Sequence, residues 1–311
     1  MEHHDPSAPP AGFTVGLVVH PHRPVQDSIG VLGDFARRHG VAVIARQADA
    51  DRVGPDVPTV PDADFVDRVD ALVSLGGDGT MLGAMRLVAG RNVPVLGVNH
   101  GNLGFLVEVA PADLAPALER LVAGNYTLEP HSGLDLDIGR FGSGEEPVMA
   151  FNDVVLTSAE PWSTATADLL VNGSRHGYYR GDAIVACTPA GSTAYNYAAG
   201  GPVVSPSTPC ITLTPVAPMS GISRSVVFGP DDVVSLQSPS DGAPLQLVVD
   251  GVRAGLLERD TSVTLRLRPE AVDVIRLDAG THAQRSHVKL SLLDLPLRPD
   301  QLLELVPPPL R

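Results

Sequence analysis

The sequence predicts an α/β N-terminal domain built on a doubly wound parallel sheet, joined to a mainly β C-terminal domain. Up to about residue 128, short apolar runs alternate with stretches of helical periodicity, a pattern typical of βαβ units. After that point the apolar runs are closely spaced, and Asn-Gly and Asp-Gly pairs interrupt some of them, as in antiparallel hairpins. We therefore predict domains at 13–128 and 129–280, with the segment 281–305 packing back on the first domain.

The composition narrows the class of protein. With 43% hydrophobic and 19% charged residues, a chain of 311 residues can form two globular cores. The formal net charge of −14 argues against a nucleic-acid-binding or membrane-binding surface, and no apolar run is typical of a signal peptide or membrane span, so a cytoplasmic location is expected. Lys289 is the only lysine, which excludes a P-loop and a protein-kinase fold. Cys187 and Cys210 are predicted to be buried thiols.

The N-terminal elements follow one another in βαβ order. GFTVGLVVHP and VAVIAR are predicted strands, and VQDSIGVLGDFARRHG between them is a predicted helix that ends at a glycine. The next strand ends near Gly76, and a helix follows over about Thr80–Val88. NVPVLGVNHG supplies a further strand and PADLAPALERLVAG a further helix. In a sheet of this kind, ligands bind at the carboxyl ends of the strands.

The C-terminal elements are mostly short strands. They are predicted within PVMAFNDVVLTS, ADLLVNGSRHGYYRG, DAIVACTP, PLQLVVDGVRAG, SVTLRLRP and VDVIRLD. Asn172-Gly173 and Asp250-Gly251 are predicted hairpin turns, because such pairs tolerate the positive φ angles of a two-residue loop.

The run SLGGDGTML, residues 74–82, places a carboxylate among three glycines at a strand-to-helix turn. Backbone N–H groups and the helix N-terminus attract phosphate there, so we assign Gly76, Gly77 and Thr80 to phosphate binding. Asp78 would repel a phosphate charge about 4 Å away, by roughly 1 kcal/mol in water and roughly 4 kcal/mol at an effective dielectric of 20. Asp78 therefore holds a metal, accepts a proton or binds a hydroxyl, unless it only caps the following helix.

Two further polar turns follow predicted strands. GVNHGNLGFL, residues 97–106, includes Asn99, whose amide is a candidate to bind ribose hydroxyls or phosphates, although asparagine is also an ordinary turn residue. YRGDAIVACTPAGSTAYNYAAGGPVVSP, residues 179–206, contains a hydroxyl-rich turn and a short helix, with Tyr195 or Tyr197 available to stack on a base. The alternative for this second segment is a well-capped core helix.

These motifs together resemble those of the NAD kinase family. GGDGT, GVNHGNLGFL, FNDVVL and GDAIVACTPAGSTAYNYAAGGPVVSP occur in the family's order, and the resemblance covers roughly residues 13–290. It implies phosphorylation of the adenosine-ribose 2′-hydroxyl of NAD by ATP or polyphosphate, giving NADP. It also implies a divalent cation, Mg²⁺, that bridges donor oxygens, and a homodimer or homotetramer.

The resemblance also implies roles for single residues. Asp78 would accept the proton of the attacking hydroxyl as general base. Gly79 would lie against the substrate, Asn152 and Asp153 would hold ribose or nicotinamide-side groups, and Arg180 and Asp182 would come from a neighbouring subunit or strand. The residues expected to line the dinucleotide are Thr193, Ala194, Tyr195 and Ala198.

The sequence departs from the family pattern at several positions. Asp153 stands where the family usually has glutamate, Met219 where it has histidine, and Val252 where it often has glutamine, while many members carry an arginine near Gly83. Two other functions are therefore kept as alternatives. Lipid kinases of the diacylglycerol and sphingoid type share GGDGT but lack TPAGSTAYNYAAGGP, and a catalytically weak NAD-binding regulator would retain binding without turnover.

Overall fold

The computed structural model describes residues 12–101, 106–107, 109–139 and 148–278. The chain divides into two compact units, of which the first comprises Met1–Glu129 with Asp273–Arg311 and the second comprises Pro130–Val272. The segment 281–305, predicted to pack on the first domain, lies outside the described residues.

The first unit is an α/β unit with a parallel sheet in the order β5-β4-β1-β2-β3. Its central strands are rich in valine and leucine, and every residue of β4 is buried, as expected for a sheet covered on both faces. The strands are β1 (Thr14–Val19), β2 (Ala42–Arg46), β3 (Thr59–Val60), β4 (Ala71–Gly76) and β5 (Val95–Asn99).

The helices of this unit connect its strands. The predicted glycine stop of the first helix is confirmed, because Gly40 adopts a left-handed φ of 66° directly after that helix. The helix after β4 begins at Asp78, two residues before the predicted start. The helices are α1 (Gln26–His39), α2 (Ala50–Val53), α3 (Asp62–Phe65), α4 (Asp78–Leu87) and α5 (Leu114–Val122).

The second unit is mostly β, with one short helix, α6 (Tyr195–Ala198). The chain enters it within β6 (Thr127–Asp137) and leaves it within β18 (Ser262–Arg276), whose Val274 pairs in parallel with Val95 of the first unit's sheet. The strands between them are β7 (Val148–Ala150), β8 (Asp153–Ser158), β9 (Ala165–Val171), β10 (Ser174–Gly181), β11 (Ala183–Cys187), β12 (Ile211–Val216), β13 (Ser220–Gly221), β14 (Val226–Phe228), β15 (Val234–Gln237), β16 (Leu245–Val249) and β17 (Val252–Leu257).

The strands of the second unit form two antiparallel layers. One runs in the order β13-β10-β9-β15-β18 and the other in the order β14-β12-β11-β8-β16-β17. Inward-facing residues of both layers, such as Leu169 and Leu247, share one hydrophobic core. Both predicted hairpin turns are confirmed, with φ of 50° and 80° at Asn172-Gly173 and of 46° and 79° at Asp250-Gly251.

The predicted fold class, an α/β N-terminal region followed by a mostly β region, is confirmed. Cys187 and Cys210 are buried free thiols, as predicted. Within the described ranges, no helix is both long and apolar enough to cross a membrane.

Candidate active site

The GGDGT turn lies at the carboxyl end of β4, which pairs with β1 on one side and with β5 on the other. Gly76 leaves no room for a side chain, because a Cβ there would lie 2.1 Å from Oγ1 of Thr80. The carbonyl of Gly77 accepts the N–H groups of Thr80 at 3.0 Å and Met81 at 3.1 Å, which starts α4. Because these glycines allow the chain to pass directly from β4 into α4, Asp78 lies in the first turn of the helix.

Asp78 is half-buried, and its carboxylate is held by the backbone of a neighbouring segment. Oδ1 accepts the N–H of Leu106 at 3.1 Å. The N-cap position of α4 is Gly77, which has no side chain, so Asp78 is not the N-cap residue of the helix. Gly79 is exposed and has open space where a Cβ would lie. A ligand thus has access to the turn beside Asp78.

A buried arginine holds the segment that contacts Asp78. Arg276 is 4% exposed, pairs with Glu129, and donates from Nη1 to the carbonyl of Leu106 at 2.7 Å. The N–H and C=O of Leu106 are therefore fixed by two different side chains. No sequence pattern predicts this contact, because Leu106 and Arg276 are 170 residues apart.

Thr80 and Asn99 complete the polar groups beside this turn. Oγ1 of Thr80 is buried and has no hydrogen-bond partner in the part of the chain that the structure describes. Asn99 ends β5 opposite Gly76, and its Oδ1 accepts the N–H of Gly101 at 2.9 Å, so its side chain shapes the following turn. Residues 102–105 of the GVNHGNLGFL motif lie outside the described residues.

A cavity of about 480 Å³ in the second unit brings three of the predicted residues together, Asn152, Asp153 and Tyr195. Thr157 and Asp250 also line it, and no sequence motif predicts either of them as a site residue, since Asp250-Gly251 indicates only a hairpin turn. The full lining is Asn152, Asp153, Val155, Thr157, Tyr195, Val248, Asp250 and Gly251.

Asp250 fixes the backbone that presents Asn152 and Asp153. Its Oδ1 accepts the N–H of Asn152 at 2.7 Å and of Asp153 at 3.1 Å, and its Oδ2 accepts the N–H of Phe151 at 3.1 Å. In return, the N–H of Asp250 donates to the carbonyl of Asp153 at 2.9 Å. One carboxylate at the tip of the β16–β17 hairpin thus satisfies three backbone donors.

Asp153 is a buried carboxyl group, 5% exposed, at the start of β8. Burial, followed by the negative charge of Asp250, raises the pKa of Asp153 to about 6, against a smaller opposing effect of a hydrogen bond from the Tyr195 backbone. A carboxyl group with this pKa changes protonation state close to neutral pH, which is common at ligand-binding sites.

The hydroxyl-rich turn before α6 is held by its own buried side chains. Oγ1 of Thr188 donates to the carbonyl of Phe151 at 2.6 Å and accepts the N–H of Gly191 at 3.0 Å. Nδ2 of Asn196 donates to the carbonyl of Ser192 at 3.0 Å. A Cβ on Gly191 would lie 1.9 Å from the carbonyl of Asn152, so this position requires glycine. These groups position Tyr195, whose side chain is exposed and lines the cavity.

The other residues predicted to line the dinucleotide lie just before α6 or at its end, and none of them lines the cavity. Thr193 and Ala194 are half-buried and Ala198 is exposed. The hydroxyl of Thr193 donates to the carbonyl of Ala190 at 3.3 Å.

Arg180 and Asp182, predicted to act from a neighbouring subunit or strand, lie on the surface of the second unit. Both are exposed, and Nε of Arg180 donates to Oγ1 of Thr164 at 3.4 Å. Met219 and Val252, two departures from the family pattern, are also exposed, at 65% and 58%. Neither residue is therefore constrained by the core.

A parallel α/β unit with a carboxylate in a glycine-rich turn, followed by a β unit whose cavity is lined by carboxyl, amide and hydroxyl groups, has the groups that a nucleotide-binding phosphotransferase requires. Comparison with known proteins identifies the family within this class. The family model for the ATP-NAD kinase N-terminal domain matches residues 30–126, and the model for the ATP-NAD kinase C-terminal domain matches residues 151–277. The chain belongs to the NAD kinase family.

Individual relatives agree with this membership. The chain is 38% identical to the NAD kinase of Heliobacterium modesticaldum over 218 residues, which are 70% of this chain and 77% of the relative. It is 36% identical to that of Symbiobacterium thermophilum over 212 residues, 68% of this chain and 75% of the relative. It is 33% identical to that of Koribacter versatilis over 266 residues, 85% of this chain and 93% of the relative.

Solved structures share the fold. The yeast NADH kinase complexed with NADH superposes with a TM-score of 0.76 at 23% identity, covering 92% of this chain and 89% of the yeast chain. The NAD kinase from Archaeoglobus fulgidus in complex with ATP gives a TM-score of 0.69 at 22% identity, covering 90% of this chain and 99% of that chain.

Proposed function

We propose that this chain is an NAD kinase that transfers a phosphoryl group from ATP or polyphosphate to the adenosine-ribose 2′-hydroxyl of NAD, giving NADP. The observation that carries the proposal is the half-buried carboxylate of Asp78, in the first turn of the helix that follows β4 in an α/β unit matched by the family model. The family match extends over both units, which favours this activity over that of a lipid kinase.

Asp78 acts as the general base in this proposal. Its carboxylate accepts the proton of the 2′-hydroxyl as that oxygen attacks the terminal phosphorus of the donor, and the bond to the donor's bridging oxygen breaks. The N–H of Leu106 holds the carboxylate in place. The turn at Gly76 and Gly77 lies against the phosphoryl group. The hydroxyl of Thr80, predicted to bind phosphate, is buried behind Gly76 and supports the turn instead.

The cavity of the second unit is the proposed dinucleotide site. Asn152 and Asp153 offer an amide and a carboxyl group to ribose or nicotinamide-side groups, and Tyr195 offers a partly exposed ring for stacking. Thr193, Ala194 and Ala198 extend this surface around α6. The relatives with solved structures contain NADH in the yeast enzyme and ATP in the archaeal one, which supports a nucleotide ligand.

Tyr195→Ala is expected to raise the half-saturating concentration of NAD at least fivefold, because base–aromatic stacking contributes about 1 to 3 kcal/mol. Tyr178→Ala is the matched control, since Tyr178 lies in the same unit and is 41% exposed, against 42% for Tyr195. Steady-state kinetics and a thermal unfolding curve of each variant test this. Equal NAD requirements in the two variants would contradict the stacking role of Tyr195.

We also propose that turnover requires Mg²⁺ brought in by the donor. Among the described residues, no group of three or more His, Cys, Asp or Glu side chains could hold a metal ion. Phosphate oxygens and water are the ligands that Mg²⁺ prefers. Bound Mg²⁺ would supply charge neutralisation on the donor phosphates.

Excess chelator is accordingly expected to reduce NADP formation to background, and added Mg²⁺ or Mn²⁺ to restore it. The thermal unfolding temperature of the protein without nucleotide should stay constant throughout, because the metal belongs to the donor. Undiminished turnover in chelator would contradict this proposal.

The remaining proposals concern assembly and location. We propose a homodimer or homotetramer in which the exposed side chains of Arg180 and Asp182 contribute to the binding site of a neighbouring copy. Light scattering of the purified chain measures the assembly, and a monomeric mass would contradict it. A cytoplasmic location stays a prediction from the sequence.

The activity is tested by incubating the protein with Mg-ATP or Mg-polyphosphate and with NAD or NADH, while NADP or NADPH is measured. Formation of NADP supports the proposal and identifies the donor and acceptor preferences. Binding of NAD without turnover in every combination would instead identify the NAD-binding regulator considered from the sequence.

A further inference from the structure

A group of basic side chains borders the GGDGT turn and has no role in the function described so far. The backbone N–H of His20, directly after β1, donates to the carbonyl of Leu75 at 2.9 Å, and that of His100, directly after β5, donates to the carbonyl of Gly76 at 2.8 Å. The group therefore lies at the carboxyl ends of the same strands that position Asp78. This basic cluster consists of His20, His22, Arg23, Arg52 and His100.

The two arginines of the basic cluster contact backbone carbonyls rather than carboxylates. Nη1 of Arg23 donates to the carbonyl of His100 at 2.7 Å, and Nη2 of Arg52 donates to the carbonyl of Arg23 at 2.5 Å. Nε of Arg52 is buried without a partner among the described residues, and neither arginine has an ion pair within them. By contrast, Arg46 and Arg37 each pair with an aspartate. Among the described residues, these two guanidinium groups therefore have no carboxylate partner.

The positive charges of the basic cluster act on one another. Nδ1 of His20 accepts the N–H groups of His22 and Arg23, each at 3.0 Å, which folds the loop so that these groups converge. Burial and then the charges of Arg23, His22 and Arg52 lower the pKa of His20. A bound anion would relieve this mutual repulsion.

The packing around Arg23 leaves it little freedom. A Cβ on Gly101 would lie 1.8 Å from Nη1 of Arg23, so the guanidinium fills the space that a larger residue would occupy. A guanidinium fixed in this way has donors besides Nη1 for a second partner, and its planar fork suits phosphate oxygens.

We propose that the basic cluster binds the phosphate chain of the phosphoryl donor, namely the phosphates beyond the one that is transferred. This inference rests on the proposed function, because it assumes that the transferred phosphoryl group lies at the GGDGT turn. The ligand class is an oligophosphate, either the triphosphate of ATP or inorganic polyphosphate. The cluster offsets the repulsion between the donor and the carboxylate of Asp78.

The test measures binding of inorganic tripolyphosphate to the full chain by titration calorimetry, without NAD and without metal. Arg23→Gln and Arg52→Gln are each expected to weaken binding about tenfold, the effect of losing one charge-assisted contact to phosphate. Arg52→Lys, which keeps the charge, should recover part of this loss. Arg38→Gln is the matched control, since Arg38 is exposed in the last turn of α1, and it should bind within about twofold of the parent.

His22→Glu provides a variant that removes no packed group, because His22 is exposed. Its new carboxylate should weaken tripolyphosphate binding at least tenfold, even if Arg52→Gln fails to fold. Repeating the titrations with ATP and with long-chain polyphosphate identifies the source of the phosphates. Weaker binding of ATP, of polyphosphate or of both supports the inference.

Two outcomes would overturn the inference: no binding of tripolyphosphate, ATP or polyphosphate to the parent, or the same affinity for each of them in the parent, His22→Glu and the folded arginine variants. The proposed function is judged separately. A chain that binds tripolyphosphate through the basic cluster but makes no NADP keeps this site and loses the kinase assignment.

Discussion

Asp78→Asn protein is expected to bind NAD with the parent affinity while its kcat falls by roughly 10²- to 10⁴-fold. Asparagine has nearly the same shape as aspartate and can still accept the N–H of Leu106, but it cannot accept the proton of the 2′-hydroxyl. The loss should therefore occur in kcat and not in the NAD requirement. Isothermal titration with NAD and a steady-state assay of the same preparation measure the two quantities.

The same substitution separates catalysis from a structural role. If Asp78 only stabilised the start of α4, asparagine would replace it well, and both activity and stability would survive. Asp78→Asn protein that is folded, binds NAD and makes NADP near the parent rate would contradict the general-base assignment. Arg86→Gln, in the last turn of the same helix, controls for the loss of a charge on α4.

Asp250→Ala is expected to lower the free energy of unfolding by about 3 kcal/mol or more and to weaken NAD binding. The substitution leaves the N–H groups of Phe151, Asn152 and Asp153 without their acceptor, and each buried donor left unsatisfied costs about 1 to 3 kcal/mol. Asp250→Asn keeps one acceptor oxygen and tolerates the φ of 46°, so it should lose less stability. Urea unfolding of both variants measures the difference, and equal stability to the parent would contradict the anchoring role.

The pH dependence of Asp250→Asn gives a second measurement on the same residue. The pKa of Asp153 is raised to about 6, so ionising Asp153 costs stability, and this cost appears as the pH rises from about 4 through 6. Removing the Asp250 charge should lower that pKa. If NAD binds the ionised form of Asp153, NAD affinity should fall at a lower pH in Asp250→Asn than in the parent. The same dependence of NAD affinity on pH in both proteins would contradict the coupling of the two carboxyl groups.

The features that the sequence predicted well are local ones. The strand that ends at Gly76, the turn at Gly77 and the hairpin at Asn172-Gly173 each depend on neighbouring residues. Glycine permits a tight turn, and an Asn-Gly pair favours the positive φ angles of a two-residue hairpin loop. The helix after β4 begins earlier than predicted, at Asp78, because the Gly77 carbonyl already accepts the first N–H groups.

The contacts that position the candidate site could not be predicted in the same way. Asp250 was identified as a turn residue, yet its carboxylate binds the backbone of Asn152, which is 98 residues away in the chain. Arg276 reaches Leu106 across an even longer separation. Such contacts depend on how strands pair in three dimensions, and the periodicity of a single strand contains no information about its partner.

The hydroxyl-rich turn before α6 has a composition that fits either a ligand-binding segment or a buried core helix. From the sequence, this segment could face a ligand or form a capped core helix. The structure assigns different residues to the two roles, since Thr188 and Ser192 are buried and hydrogen-bonded within the turn, while Tyr195 lines the cavity. Burial therefore separates the residues that stabilise the turn from the residue that faces the cavity. That burial depends on the antiparallel layer containing β8, β11 and β12, which lie elsewhere in the sequence.

The most direct measurement of the proposed activity is ³¹P NMR of a mixture of NAD, Mg-ATP and the protein. We expect the γ-phosphate resonance of ATP to decrease while a phosphomonoester resonance of NADP grows, and we expect Asp78→Asn to slow both changes together. Hydrolysis of ATP without the NADP resonance, or equal rates in the parent and Asp78→Asn, would contradict phosphoryl transfer from ATP to NAD by this site.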